Sequence, residues 1–94
     1  MISTMQKEVL ALAIKTFGKE AQVFMCIEEM AELTKELSKN YRGKTNTTEI
    51  AEEIVDVQIM LEQLKMIYNL QSSVPIMMSM KIANLERRLK EYKP

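Results

Sequence analysis

The sequence predicts an all-α protein, a four-helix antiparallel bundle completed by oligomerisation. Apolar residues recur at steps of three and four residues in four successive segments, as on one face of an α-helix. Short breaks at two well-spaced glycines and at Ser72–Pro75 separate these segments, and short connections place neighbouring helices antiparallel. A single domain spanning residues 1–94 buries only about 60–65% of its unfolded surface, so association with further copies is expected.

Each predicted helix has its own boundary signals. Gly18 stops the first helix. Asn46 lies three residues before Glu49, a spacing typical of a capping box at the start of a third helix. Pro75 is tolerated in a first turn and opens the fourth helix. The predicted helices cover residues of about 4–17, 19–40, 47–70 and 75–92.

The composition excludes several kinds of function. Because 13 basic residues balance 13 acidic ones, no net field favours binding to nucleic acid or to an acidic membrane. Histidine is absent, which excludes Ser-His and Cys-His catalysis and imidazole metal sites. Gly18 and Gly43 are too far apart to form a phosphate-binding loop. Chemistry must therefore come from carboxylates, lysines and arginines.

The cysteine usage and hydropathy predict a cytoplasmic protein. Cys26 is the only cysteine, so no intrachain disulfide can form, which suits a reducing compartment. It lies on the apolar side of the second helix, where we expect a small core residue. No apolar run approaches the roughly 20 residues needed to span a bilayer, and the first residues lack a signal-peptide pattern.

The apolar positions predict which face of each helix is buried. The residues expected inside are Phe24, Ile27, Met30, Ala31, Leu33 and Leu37 on the second helix, Ile50, Ile54, Val57, Leu61, Leu64 and Tyr68 on the third, and Met78, Ile82, Leu85, Leu89 and Tyr92 on the fourth. The third helix also carries Val55, Ile59 and Met66 on a second side. A helix that is apolar on two sides is buried on two sides, which predicts a homodimer or homotetramer.

The second helix carries an acidic pattern. Glu28, Glu29 and Glu32 form a Glu-Glu-x-x-Glu arrangement, and Glu36 follows one turn later. At about 100° per residue these four side chains share one arc of the helix. Taken alone, the pattern is explained most simply by a solvated acidic face.

Two acids on the third helix change this interpretation. Glu53 lies at the margin of the apolar stripe and Asp56 lies in line with later apolar residues. A carboxylate in such a position needs a compensating partner, either a basic side chain or a metal ion. Antiparallel packing would bring this pair, at i, i+3 spacing, against the Glu29 and Glu32 pair. Acids gathered without intervening bases favour a metal, and all-oxygen ligands suit Mg²⁺, with Mn²⁺ as a substitute.

The acidic residues and their order resemble a known family. Glu28-Glu29-Met30-Ala31-Glu32, followed after twenty residues by Glu53-Ile54-Val55-Asp56, is similar to the Glu-Glu-x-x-Glu and Glu-x-x-Asp signature of MazG-like nucleoside triphosphate pyrophosphohydrolases. Gly18-Lys19-Glu20-Ala21-Gln22 and the four-helix layout are also similar to small single-domain members. The resemblance covers roughly residues 17–64 and is weaker in the last helix.

The resemblance implies a reaction and roles for the acids. The reaction is Mg²⁺-dependent hydrolysis of a nucleoside triphosphate between the α and β phosphates, in housecleaning of the nucleotide pool. By position in the signature, Glu29, Glu32, Glu53 and Asp56 would hold the Mg²⁺. Glu28 would orient water or bind a further ion. In similar proteins the site lies near a subunit interface.

Polar residues outside the signature are candidates for binding the substrate. Lys81, Asn84 and Arg88 lie along one edge of the fourth helix, and a basic or amide position there resembles the family's last-helix element. Gln22 precedes the signature and is a candidate contact to the base or sugar. Ordinary polar residues that flank a buried stripe explain the fourth-helix set at least as well.

Two other interpretations stay open. The chain is alternatively a non-catalytic helical interaction or regulatory protein whose acids form salt bridges or bind a partner. It is also consistent with a family member that binds nucleotide without turnover. Hydrolysis of triphosphates in the presence of Mg²⁺ separates the enzyme from both.

Overall fold

The computed structural model describes residues 2–94, which contain four α-helices and no strand. The helices are α1 (Thr4–Phe17), α2 (Lys19–Tyr41), α3 (Thr47–Ile67) and α4 (Ser73–Glu91). The all-helical prediction is confirmed, and the predicted boundaries agree to within three residues. None of the four helices is both long enough and apolar enough to cross a membrane.

Local hydrogen bonds define the first helix and its junction with the second. Ser3 and Gln6 form a capping box at the start of α1, with bonds of 2.9 and 3.1 Å between each side chain and the other residue's amide. At the far end the amide of Gly18 donates to the carbonyl of Ile14. Gly18 has φ 94° and ψ 148°, a conformation that residues with a Cβ rarely adopt. A glycine is therefore required at this junction.

The end of α3 explains why the helix is shorter than the sequence predicts. Asn69 adopts a left-handed conformation with φ 56°. Its amide donates to the carbonyl of Met66, and the amide of Leu70 donates to the carbonyl of Lys65. This pair of bonds is a Schellman motif, in which asparagine takes the place of the usual glycine. The sequence has no glycine here to reveal it.

The start of α3 is at the predicted position but is held in a different way. Asn46 is the N-cap residue, yet its side chain makes no capping hydrogen bond, so the capping box expected with Glu49 is wrong. Its Nδ2 instead donates to the carbonyl and to Oε1 of Glu36, each at 2.9 Å. A bond to a carboxylate is stronger than a neutral one, and it ties the first residue of α3 to α2.

Helices α2 and α3 form the main packed pair, and α1 lies against both. Residues late in α2 meet residues early in α3, as Glu36 and Asn46 do, so the two helices run antiparallel. Their contact surface is largely polar. Buried residues comprise Gln22, Cys26, Glu36, Asn46, Val57, Met60 and Gln63. Cys26 is 1% exposed, which confirms its predicted burial.

The predicted inner face of α2 is not the buried one. Phe24 and Ile27 are exposed, as are Met30, Ala31 and Leu37, and of the residues predicted to lie inside Leu33 alone is half-buried. The buried residues of α2 are Gln22, Cys26 and Glu36, which lie on the same side of the helix as Leu33. On α3 the predicted stripe is fully buried only at Val57. Ile50 and Leu64 are half-buried, and the stripe's exposed members are Ile54, Leu61 and Tyr68. The physical reason is that the chain has more apolar faces than three packed helices can cover.

Helix α4 departs furthest from prediction. It contains no buried residue and does not pack extensively against α1, α2 or α3. The stripe expected inside is exposed at every position, Met78, Ile82, Leu85, Leu89 and Tyr92. Residues 2–94 of a single chain therefore form three packed helices and a fourth helix, α4, whose apolar stripe is exposed to solvent.

Candidate metal centre

Three carboxylates from two helices converge at one point. Glu29 of α2 and Glu53 and Asp56 of α3 each offer one oxygen, and these atoms all lie within 4.8 Å of one another. Glu53 and Asp56 project from the same side of α3 because they are three residues apart. Antiparallel packing brings Glu29 opposite them.

The electrostatics of the cluster suit a positively charged ligand. Burial is the largest cause that raises the pKa of Glu29 above its usual range, followed by the charges of Asp56 and Glu53. A hydrogen bond shared with Glu53 and the charge of Glu32 act in the same direction. Oε2 of Glu53 is buried without a hydrogen-bond partner. An unpaired buried carboxylate oxygen is costly, so this geometry suits a bound cation.

Basic side chains pair elsewhere in the described part of the chain. The ion pairs join Lys39 with Glu36, Lys65 with Glu62, and Arg87 with Glu91. Each joins residues three or four positions apart on a single helix. Across residues 2–94, no lysine or arginine lies within ion-pair distance of Glu29, Glu53 or Asp56.

The donor set fits a hard divalent cation. An octahedral Mg²⁺ shell with bonds of about 2.0–2.1 Å places neighbouring ligand oxygens about 3–4 Å apart. Carboxylate oxygens already within 4.8 Å of one another reach that spacing through small side-chain adjustments. Oxygen donors without nitrogen or sulfur suit Mg²⁺ and Mn²⁺ better than Zn²⁺.

The other two acids of the predicted set lie at the edge of the cluster. Glu28 and Glu32 are both exposed, and neither belongs to the converging group. Glu32 is nevertheless close enough that its charge contributes to the raised pKa of Glu29. The structure thus joins three of the four predicted metal ligands and leaves Glu32 beside them.

The candidate substrate residues fall into two groups. Lys81, Asn84 and Arg88 are exposed on α4, which does not pack extensively against α2 or α3, and the acidic cluster is formed by residues of α2 and α3 alone. Gln22 is buried at 7% exposure. It lies seven residues before Glu29, so both side chains occupy the same face of α2, two turns apart.

One acid of the predicted arc, Glu36, has a structural role that the sequence analysis does not predict. Glu36 accepts the two bonds from Asn46 described above, and its Oε2 lies 3.3 Å from Nζ of Lys39. The hydrogen bond from Asn46 is the largest cause that lowers the pKa of Glu36, with Lys39 acting in the same direction and burial opposing it. This set of residues 36, 39 and 46 is called the hairpin anchor below.

The spacing of the hairpin anchor carries a signal that the sequence offered. Glu36 follows Glu29 by seven residues, and Asn46 precedes Glu53 by seven. A repeat of seven places residues on the same face of a helix. The hairpin anchor therefore fixes the register in which α2 and α3 bring their acids together.

Comparison of the chain with protein-family models, with curated proteins and with solved structures gave no match.

Proposed function

We propose that this chain is a Mg²⁺-dependent nucleoside triphosphate pyrophosphohydrolase that works in housecleaning of the nucleotide pool. The observation that carries the proposal is the convergence of Glu29, Glu53 and Asp56, with a buried oxygen of Glu53 left without a partner. The proposed reaction rests on the likeness of the acidic signature to MazG-like enzymes, and the proposed cation rests on the geometry of the acids.

The acids divide into ligands and neighbours. Glu29, Glu53 and Asp56 would hold the ion, and Glu32, exposed beside them, is a candidate fourth ligand. Mg²⁺, when bound, neutralises phosphate oxygens and acidifies water. Glu28, exposed beside the centre, orients the attacking water.

The reaction places modest demands on the protein. A water oxygen forms a bond to the α phosphorus while the bond from that phosphorus to the α,β-bridging oxygen breaks. Pyrophosphate leaves with the bridging oxygen, and the proton of the water passes to a carboxylate or to solvent. Catalysis of this kind rests on positioning and on charge stabilisation, so neither histidine nor a glycine-rich loop is needed.

Substrate recognition calls for more than one copy of the chain. Lys81, Asn84 and Arg88 carry donors suited to phosphate oxygens, but α4 does not reach the acids of its own chain. The proposed enzyme is a homodimer or homotetramer in which further copies complete the four-helix antiparallel bundle. Gln22, near the centre on α2, contacts the base or sugar.

The test is pyrophosphate release from all canonical and several modified triphosphates, with and without Mg²⁺. Glu53→Gln and Asp56→Asn should each lower the rate at least about a hundredfold, since metal catalysis supplies several kcal/mol. Glu52→Gln changes an exposed acid on the same helix and should leave the rate unchanged. Normal rates in folded Glu53→Gln and Asp56→Asn variants would show that the metal assignment is wrong. If no triphosphate is hydrolysed and Mg²⁺ does not stabilise the fold, the chain is a helical interaction protein.

A further inference from the structure

A single copy of this chain exposes more surface than a folded monomer of its mass. A monomer of 10.9 kDa has an accessible surface of about 5,600 Å². This chain exposes 7744 Å², an excess of about 2,100 Å². Its radius of gyration is 16.5 Å, against about 12 Å for a compact domain of 94 residues. The chain therefore has the dimensions of a subunit that lacks its neighbour.

The uncovered surface includes one continuous stripe on α4. Its members are Met78, Ile82, Leu85, Leu89 and Tyr92, called the α4 stripe below, and they are 45–70% exposed. A helix of 19 residues is only marginally stable in water when its apolar face is not packed. The α4 stripe therefore needs a surface to cover it.

A matching surface lies on the hairpin of α2 and α3. An open groove of about 540 Å³, called the hairpin groove below, is lined by Val23, Phe24 and Ile27 of α2 and by Ile67 and Tyr68 at the end of α3, with Lys19 and Glu20 at the start of α2. Phe24 is 62% and Tyr68 is 56% exposed. An amphipathic helix laid into an apolar groove is a common mode of recognition between chains. The chain thus carries both halves of such a contact and does not join them within itself.

We propose that α4 of one copy packs its stripe into the hairpin groove of a second copy, and that the second copy returns the same contact. If each of two copies covered its excess surface, the interface would total about 4,300 Å², within the range of about 2,000–5,000 Å² that obligate homodimers bury. This reciprocal contact buries the α4 stripe and the hairpin groove of both copies, as expected for a two-fold interface. Each three-helix body then gains a fourth helix from its partner.

The proposal rests on the oligomeric state proposed above and does not depend on the proposed hydrolysis. It is tested on the full chain by sedimentation equilibrium over a hundredfold range of concentration, without nucleotide. The natural chain should sediment as a dimer or a multiple of one. Leu85→Glu in the α4 stripe and Phe24→Glu in the hairpin groove should each weaken dimerisation at least about thirtyfold, because apolar anchors at the centre of an interface dominate its affinity.

Ala83→Glu is the matched control, because residue 83 is exposed on the same helix and lies nearly opposite the α4 stripe. It should leave the dissociation constant unchanged. If Leu85→Glu is monomeric, α4 should unfold because its apolar stripe is not packed. The variant should then lose up to about a quarter of its helical circular dichroism signal, since α4 contributes about a quarter of the helical residues.

Three results would overturn the proposal. A natural chain that is monomeric throughout the range would assign the apolar surface to a different protein. A Leu85→Glu variant that dimerises like the natural chain would show that the α4 stripe is not the interface. If Leu85→Glu dissociates the dimer and Phe24→Glu does not, α4 packs on another face, for example on the partner's own α4. In the first of these cases, pyrophosphate release by the monomeric natural chain would leave the proposed chemistry standing.

Discussion

Replacing Glu53 by glutamine tests the metal centre through folding stability alone. Glu53 contributes one of the three convergent oxygens, and the side-chain amide keeps its shape while removing its charge. Without Mg²⁺ we expect the Glu53→Gln variant to be more stable than the natural chain, because like charges gathered without a cation repel one another. With Mg²⁺ the order should reverse, because only the natural chain binds the ion tightly.

The magnitude follows from the separation of the oxygens. Two unit charges at 4.8 Å, the upper limit of the separations between these oxygens, repel by about 0.9 kcal/mol in water and by about 3.5 kcal/mol at an effective dielectric constant of 20. Glu53 takes part in two such pairs, but proton uptake and partial exposure relieve part of the repulsion. We therefore expect a gain of about 1 kcal/mol in the free energy of unfolding, or about 4–8 °C in Tm.

The response to Mg²⁺ gives a second quantity. At a concentration ten times the Kd, Mg²⁺ should stabilise the natural chain by about 1.4 kcal/mol. Glu53→Gln should lose most of that response. The assay is thermal unfolding followed by circular dichroism, with and without Mg²⁺, at one fixed protein concentration.

Glu52→Gln is the control for the general effect of removing an acid from α3, since residue 52 is exposed. It should change neither the stability nor the response to Mg²⁺ appreciably. A Glu53→Gln variant less stable than the natural chain without Mg²⁺ would indicate a structural hydrogen bond or ion pair at this position. An undiminished Mg²⁺ response in the variant would place the cation elsewhere.

Three further predictions concern the hairpin anchor and the helix junction. Asn46→Ala removes two 2.9 Å hydrogen bonds from a residue that is 1% exposed and should cost about 1–3 kcal/mol in urea unfolding; Asn40→Ala, at an exposed position, should cost well under half of that. Because the pKa of Glu36 is lowered in the folded chain, its contribution to stability is fully present above the ordinary glutamate pKa and is lost as the pH falls through the lowered one. Glu36→Gln should therefore flatten the acid limb of the stability profile, and an unchanged acid limb would contradict this. Gly18→Ala should cost about 1–3 kcal/mol, since φ at this residue is 94°, and no loss would mean that the junction relaxes.

The sequence predicted what depends on local periodicity. Helix positions follow from the spacing of apolar residues and from local breaks, and Gly18 stops α1 as expected. The convergence of Glu29 with Glu53 and Asp56 was also predictable, because i, i+3 spacing and antiparallel packing leave few other arrangements. The helix positions needed no knowledge of which helix face is covered, whereas the convergence of the acids also required Glu29 to face α3.

The sequence could not predict which chain covers an apolar face. The pattern on α4 requires burial for residues such as Leu85, but the same pattern results whether the cover comes from this chain or from another. For the same reason the inner face of α2 was assigned to Phe24 and Ile27, whereas within the chain the buried side of α2 carries Gln22, Cys26 and Glu36. Side-chain bonds such as those of Asn46 are equally hidden, because the same side chain can accept a capping bond through Oδ1 or donate through Nδ2, and the tertiary geometry decides which it does.

The hairpin anchor also determines how much the helices can move apart before the acids separate. The carboxylates lie one heptad, about 10.5 Å, from the closed end of the hairpin, whereas Gln22 lies about 21 Å from it. A splay of about 5° would therefore shift the acids by only about 0.9 Å but the region around Gln22 by about 1.8 Å. The hairpin can thus open at its far end while the acids stay within reach of a common ligand. The acidic cluster therefore tolerates small movements of α2 and α3, because the hairpin anchor joins the two helices close to it.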